Sequence, residues 1–367
     1  MVEYSSRSTG KHSSKLGLLS PEDKRSTGFE DKMSDMIAAL VHASEKAAKI
    51  ARACRLEESL FGLLIEEKKE GEKNKKFVTD FKTLADVLVQ EVIKHDVGKQ
   101  FPGIENNIFG EESNEFMNGL DSTFQYIKGV SDSKPNNNIY SCGLQCVTIL
   151  IGVYDLHSGT PIMGVVNQPF AVQDPETQRW SGQYYWGISY GTTNVCSLGP
   201  HSKNGGVSSE SNSMPAPQHL KKGSAADLEE ERFSAVLSTG ETVCVQTLLK
   251  EACGDNIHYA AGAGYKSLCV VLGFVDVYVF SEDTTFKWDC CSPHAILKSL
   301  GGGMADLKEC LRRRQDGNRE DCSELVYNVP VQDVKGADRW ANKGGLVAYR
   351  SHKHLEAVLN LLSGISV

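Results

Sequence analysis

No stretch of this chain is apolar for long enough to cross a bilayer. The best runs, Cys146–Tyr154 and Leu268–Phe280, are too short or interrupted by Asp276, against the roughly 20 apolar residues a membrane helix needs. Positive charge is scarce as well. Lys and Arg total 39 against 47 Asp and Glu, for a net charge of −8. That balance argues against the concentrated basic face of a nucleic-acid binder. An anionic substrate would have to be drawn in locally, by a few lysines, helix N-termini or bound cations. No Asn-X-Ser/Thr acceptor occurs, and the N-terminus has no apolar core of signal-peptide length. The expectation is therefore a reducing, cytoplasmic location without membrane insertion. There are 11 Cys, but Cys142 and Cys146 have no second pair at zinc-site spacing. No repeat of fixed period is present.

What is present is an ordinary globular composition, 40% hydrophobic and 23% charged over 367 residues, enough for one large domain or two lobes. Residues 1–32 are rich in Ser, Lys, Gly and Arg and are expected to be disordered. From Met33, apolar residues at 37, 40, 41, 47, 48 and 51, with Ser44 on the same face, then 60, 63 and 64, follow helical spacing, as two helices or one bent one. "TLADVLVQEVI" starts with a capping signal, Thr83 and Asp86, and predicts another helix. "CGLQCVTILIGVYD" and "GTPIMGVVNQPF" predict a buried strand pair, which "YYWGISYGTTNVC" extends. Residues 199–231 form a loop between an N-terminal lobe, 33–198, and a C-terminal lobe, 232–367. In the second lobe "FSAVLST" and "VDVYVF" predict strands; "ETVCVQTLLKEAC", "AAGAGYKSLCVVLG" and "PHAILKSLGGGMADL" predict helices. Interleaved strands and helices indicate an α/β or α+β layered fold.

Four places combine acidic groups with turns or strand ends: Asp86, Glu111-Glu112, Asp121-Ser122-Thr123, and Trp288-Asp289. Magnesium takes oxygen ligands and is held by a few carboxylates plus substrate phosphate, so these four could share one site. Each also has a local explanation. Asp86 and Asp289 suit helix caps, Glu111 and Glu112 a solvated turn, and Asp121-Ser122-Thr123 an N-cap cluster. The Gly-rich "AAGAGYKS" could bring backbone N–H groups to an anion, with Lys266 beside it, or merely let helices pack closely. It lacks the Gly-Lys-Ser/Thr order of a nucleotide-binding P-loop. Cys290 and Cys291 read as buried thiols, and His294 carries no assigned role.

In order along the chain, "TLAD", "GEES", Asp-Ser-Thr, "GAGYKS" and "TTFKWD" resemble the magnesium-dependent, lithium-sensitive phosphatases. That superfamily holds the inositol monophosphatases, fructose-1,6-bisphosphatases and bisphosphate nucleotidases. The longer matches "FSEDTTFKWD" and "DRWANKGGLVAYRS" are similar to its branch acting on inositol polyphosphates. The resemblance runs from Met33 to the C-terminus. It implies an αβαβα layered sandwich and removal of the 1-phosphate from inositol 1,4-bisphosphate and inositol 1,3,4-trisphosphate, in phosphatidylinositol signalling. It implies Mg2+ held by Asp86, Glu111, Asp121, Asp289 and the Leu120 carbonyl. Thr123 with Glu111, beside Asp86, would activate water; Ser122 and Thr123 would cradle the phosphate. Asp121, Gly262, Ala263, Lys266 and Thr284 would contact the substrate. Inositol phosphates are the partners expected of a monomer.

The sequence departs from the family in one place above all. Only eight residues separate Glu112 from Asp121, where the family has several tens. The motif Asp-Pro-Ile-Asp-Ser-Thr here begins Asn118-Gly119-Leu120. This join, near 113–118, reads as an internal deletion that truncates the first sheet and removes one ligand charge. A smaller departure puts Gly240 and Thr242 where the family carries a Ser and a Lys. Two other functions stand beside the phosphatase: an impaired chain that only binds inositol phosphates, and a bisphosphate nucleotidase.

Overall fold

The computed structural model describes residues 2–4, 27–57, 61–62, 65–68, 81–104, 107–108, 110–111, 116–117, 121–131, 134–198, 233–318 and 322–364. Strand β1 (Val2–Tyr4) precedes the long helix α1 (Thr27–Leu56). A small antiparallel pair, β2 (Ile65–Glu67) and β3 (Phe81–Thr83), leads into α2 (Leu84–Gln100). Two short strands, β4 (Gly110–Glu111) and β5 (Phe116–Met117), pair in parallel ahead of α3 (Thr123–Lys128). The first large sheet follows: β6 (Ile149–Asp155), β7 (Pro161–Gln173), β8 (Trp180–Tyr190) and β9 (Thr193–Cys196), antiparallel in sequence order.

The C-terminal half opens with β10 (Ala235–Leu237), α4 (Val243–Cys253) and β11 (Ile257–Tyr259). It continues with α5 (Ala263–Val271), β12 (Val277–Phe280), α6 (Lys287–Ser299) and β13 (Gly303–Ala305). It ends with α7 (Leu307–Gln315), β14 (Leu346–Tyr349) and α8 (His352–Leu362). Its sheet runs β11-β10-β12-β14-β13.

Strand side chains alternate between faces, and here both faces are apolar. Ile149, Ile151 and Val153 of β6 join a core with α1 and α2. Leu150 and Tyr154 of the same strand face a second core, built with α5 and α6. Tyr278 and Phe280 of β12 cover that second core from the other sheet, while Val277 and Val279 join α4, α7 and α8 in a third. The layers are therefore helix, sheet, helix, sheet, helix. Strands buried on both sides read as unbroken apolar runs, which is why they were legible in the sequence.

Helix α6 lies unusually close to the first sheet. Gly152, Gly164 and Gly187 are cross-strand partners on β6, β7 and β8. A Cβ at Gly164 would stand 2.0 Å from the Ser292 carbonyl oxygen, and one at Gly187 2.9 Å from Ile296 Cα. This row is a backbone groove for the helix, locked by Ser292 Oγ donating to Val165 O at 2.8 Å. Gly164→Ala should destabilise the chain by about 3 kcal/mol through overpacking. Urea unfolding of the variant checks this.

Two expectations are corrected. Residues 1–32 are not wholly disordered, since β1 pairs in parallel with β6 and α1 already begins at Thr27. The exposed edge of β6 offers unpaired N–H and C=O groups that a short strand satisfies, so the first sheet has five strands. Ile65–Glu67, next to the positions expected to continue the helical pattern, forms a strand with Phe81–Thr83. The loop expected at 199–231 lies outside the described residues.

Candidate active site

Asp86 both caps and converges. It is the third residue of α2, and Thr83 N and Oγ1 donate to its Oδ2 at 2.6 and 2.7 Å. The carboxylate is buried, and its other oxygen, Oδ1, accepts from Thr123 Oγ1 at 3.3 Å across 37 residues of sequence. A residue readable as a simple cap thus reaches the Asp121-Ser122-Thr123 turn.

Asp121 fixes that turn against the sheet entry and against the Gly-rich turn. Its N–H donates to Thr148 O at 2.8 Å. Its Oδ2 accepts from Gly264 N at 2.8 Å and from Thr148 Oγ1 at 3.3 Å. The anion approached by the "AAGAGYKS" backbone is therefore the protein's own carboxylate. The expected N-cap cluster is corrected here. Ser122 takes a left-handed conformation, φ 72°, and makes no side-chain cap. Its Oγ is buried without a hydrogen-bond partner among the described residues.

Gly262 has φ +78°, and a Cβ there would lie 2.2 Å from Ser122 Oγ and 2.9 Å from Asp121 Oδ2. The turn therefore packs closely, and the acceptor at its N–H is Asp121. Ala263 opens α5. Lys266 is buried, and its Nζ donates to Gly262 O at 2.8 Å and Ala260 O at 3.3 Å, over the Tyr278 ring. It braces the turn from beneath.

Asp289 is the third residue of α6, and its Oδ2 accepts from Phe286 N at 2.9 Å. It caps as expected, yet it shares an electrostatic neighbourhood with Asp121. Tyr278 is fully buried, and that burial pushes its hydroxyl well above the ordinary range. The negative fields of Cys290, Asp121, Glu241 and Asp289 add to the shift. Cys290 rises for the same reasons, burial first and Asp289 next, with Asp121 also contributing. Carboxylates from three distant parts of the chain thus act electrostatically on one tyrosine.

Glu241 was missed from sequence. It lies between Gly240 and Thr242, where only the substitutions drew notice. It accepts from Thr242 N at 2.9 Å and from Ser281 N at 3.1 Å, and also from Ser281 Oγ, tying the ends of β10 and β12 together. Burial between two strand ends, the feature that matters, has no local signature. Thr284 lies in the link between β12 and α6.

For Glu111 the structure places only the backbone, in β4. Its side chain, and residues Glu112, Asn118, Gly119 and Leu120, lie outside the described residues. Among the described residues no group of three or more His, Cys, Asp or Glu side chains lies close enough together to hold a metal ion; the Glu111 side chain and Leu120, which the resemblance adds to the set, lie outside them. The carboxylates that the resemblance implies as ligands and that are described, Asp86, Asp121 and Asp289, offer hard oxygens, which suit magnesium rather than zinc. The orphaned Ser122 hydroxyl beside Asp121 fits a site completed by a ligand.

The sequence model of the inositol monophosphatase family matches residues 32–355. The chain belongs to this family. It is 49% identical to human inositol polyphosphate 1-phosphatase over 405 positions, covering 90% of this chain and 97% of that protein. The mouse 3'(2'),5'-bisphosphate nucleotidase 1 is more distant, 24% identical over 361 positions, covering 89% and 96%. Among solved structures, the inositol monophosphatase from Anabaena has a TM-score of 0.50 at 13% identity, covering 91% of this chain and 98% of that one. The family confirms the layered fold. The human alignment is also informative in its length. Ninety per cent of 367 residues is about 330, so about 75 of the 405 aligned positions have no counterpart in this chain.

Proposed function

We propose that this chain is a magnesium-dependent phosphomonoesterase that removes the 1-phosphate from inositol 1,4-bisphosphate and inositol 1,3,4-trisphosphate. The carrying observation is the 2.8 Å bond from Gly264 N to Asp121 Oδ2. It joins the acidic turn of the N-terminal half to the glycine-rich turn of the C-terminal half, in a chain half identical to a protein named for this activity. The bisphosphate nucleotidase reading has the weaker support of the more distant relatives.

Asp86, Asp121 and Asp289, with Glu111 and the Leu120 carbonyl, would hold the magnesium. The bound ion supplies neutralising charge to the phosphate and to the leaving oxygen. The chain's own groups do the rest. Thr123 Oγ1, held by Asp86, orients the attacking water, and the Glu111 carboxylate takes its proton. Backbone N–H groups of Ser122 and Thr123 cradle the phosphate. Gly262, Ala263 and Thr284 line the inositol pocket, and Lys266 supports it. No helix among the described residues is long and apolar enough to cross a membrane. A monomeric, cytoplasmic, lithium-sensitive enzyme of phosphatidylinositol signalling completes the reading.

Phosphate release from inositol 1,4-bisphosphate and from adenosine 3',5'-bisphosphate, with and without magnesium, tests it. We expect magnesium-dependent release from the inositol substrate and little from the nucleotide. The reverse preference would replace this reading with the nucleotidase one. The unmatched positions and Asn118 favour a second reading, a chain that binds inositol phosphates with impaired turnover. Calorimetric binding of inositol 1,4-bisphosphate without release would establish it.

A further inference from the structure

The segment Gly336–Gly345 is clamped onto the N-terminal turn of α6, and one side chain makes the clamp. Asn342 is buried. Its backbone N–H donates to Thr285 O at 2.8 Å. Its Nδ2 reaches Thr285 Oγ1 at 3.2 Å and Cys290 Sγ at 3.3 Å. The opposite amide orientation would tie the same two groups, with hydroxyl and thiol donating. Neighbours on both sides reinforce it. Ala341 bridges Phe286 in an antiparallel pair and packs with the stacked Phe286 and Trp288 rings, 4.7 Å apart. Lys343 Nζ donates to Asp283 Oδ2 at 2.9 Å.

These contacts bracket two residues. Thr284 lies between Asp283, held by Lys343, and Thr285, held by Asn342. Asp289 lies between Phe286, held by Ala341, and Cys290, held by Asn342. We propose that Asn342 is a positioning residue that sets Asp289 and Thr284 in register with the Asp121 turn. This rests on the reading above, in which Asp289 is an ion ligand and Thr284 lines the pocket. Asn342 itself touches neither ion nor substrate. It spans the helix start from Thr285 to Cys290, so a shift of this segment moves both site residues together. A ligand displaced in this way weakens ion binding, as lost outer-shell partners do elsewhere, by about 10- to 100-fold.

The test uses the full chain and Mn2+ alone as the probe, followed by electron paramagnetic resonance and calorimetry. Asn342→Leu keeps the volume and removes the ties; Asn342→Ala removes both. Each should bind Mn2+ about tenfold or more weakly while melting as a cooperative fold. Thr285→Val, which removes one partner, should weaken binding in the same direction and add little to Asn342→Leu, since the two act through one tie. It also decides the matter if neither Asn342 variant folds. Mn2+ affinity within twofold of the parent in Asn342→Leu, or in Thr285→Val where that variant alone folds, overturns the proposal. Asp289→Asn separates the two failures. If it leaves Mn2+ binding intact, or if the parent binds none, the ion-ligand reading itself is wrong. If it weakens binding and Asn342→Leu does not, only this inference falls.

Discussion

Asp121→Asn should lower magnesium-dependent phosphate release by about a thousandfold and leave the fold standing. The structure explains why the two effects separate. Gly264 N needs an acceptor, and an asparagine can turn its amide oxygen to that N–H, keeping the 2.8 Å bond. The backbone pairing of residue 121 with Thr148 does not involve the side chain at all. What the variant loses is charge, and with it an oxygen donor, because the amide NH2 then occupies the place of the second carboxylate oxygen. A charge pair near 4 Å is worth about 4 kcal/mol at an effective dielectric of 20. A divalent ion doubles that, and solvation returns part of it. The check is paired: initial rates of phosphate release, and thermal melting without added ion. A rate within tenfold of the parent would remove Asp121 from the proposed ion site. A large drop in melting temperature would make it structural first.

The same contrast between charge and scaffold decides what the sequence disclosed. The layered fold was legible because both faces of β6, β7, β10 and β12 are buried, so the strands appear as apolar runs. The caps at Asp86 and Asp289 were legible because a cap is a local device. The long-range ties were not, since Asp86 meets Thr123 across 37 residues and Asp121 meets Gly264 across 143. Only the resemblance to a family linked them. Glu241 escaped notice because a buried carboxylate satisfied by Ser281 and Thr242 leaves no pattern of spacing. The strand at Val2–Tyr4 escaped because its partner, the open edge of β6, exists only in the folded sheet.

Gly262→Ala is the sharper test of how the two halves of the site meet. The residue sits at φ 78° and ψ 130°, a region that an L side chain occupies at a cost of about 1–3 kcal/mol. The added methyl also has nowhere to go. It would stand 2.2 Å from Ser122 Oγ, 2.9 Å from Asp121 Oδ2 and 3.1 Å from the Cys146 carbonyl oxygen. The hydroxyl could rotate, but Asp121 is held by Gly264 and Thr148, and the carbonyl belongs to the backbone beneath the sheet entry. The turn must therefore back away from Asp121, lengthening the contact on which the proposed site depends. We expect a loss of about 3 kcal/mol in stability and a fall in phosphate release that persists at temperatures where the variant is fully folded. Urea unfolding gives the first and rates well below the melting midpoint give the second. If the variant unfolds more easily yet turns over normally while folded, the Gly-rich turn serves packing alone. Asp121 would then not need its register.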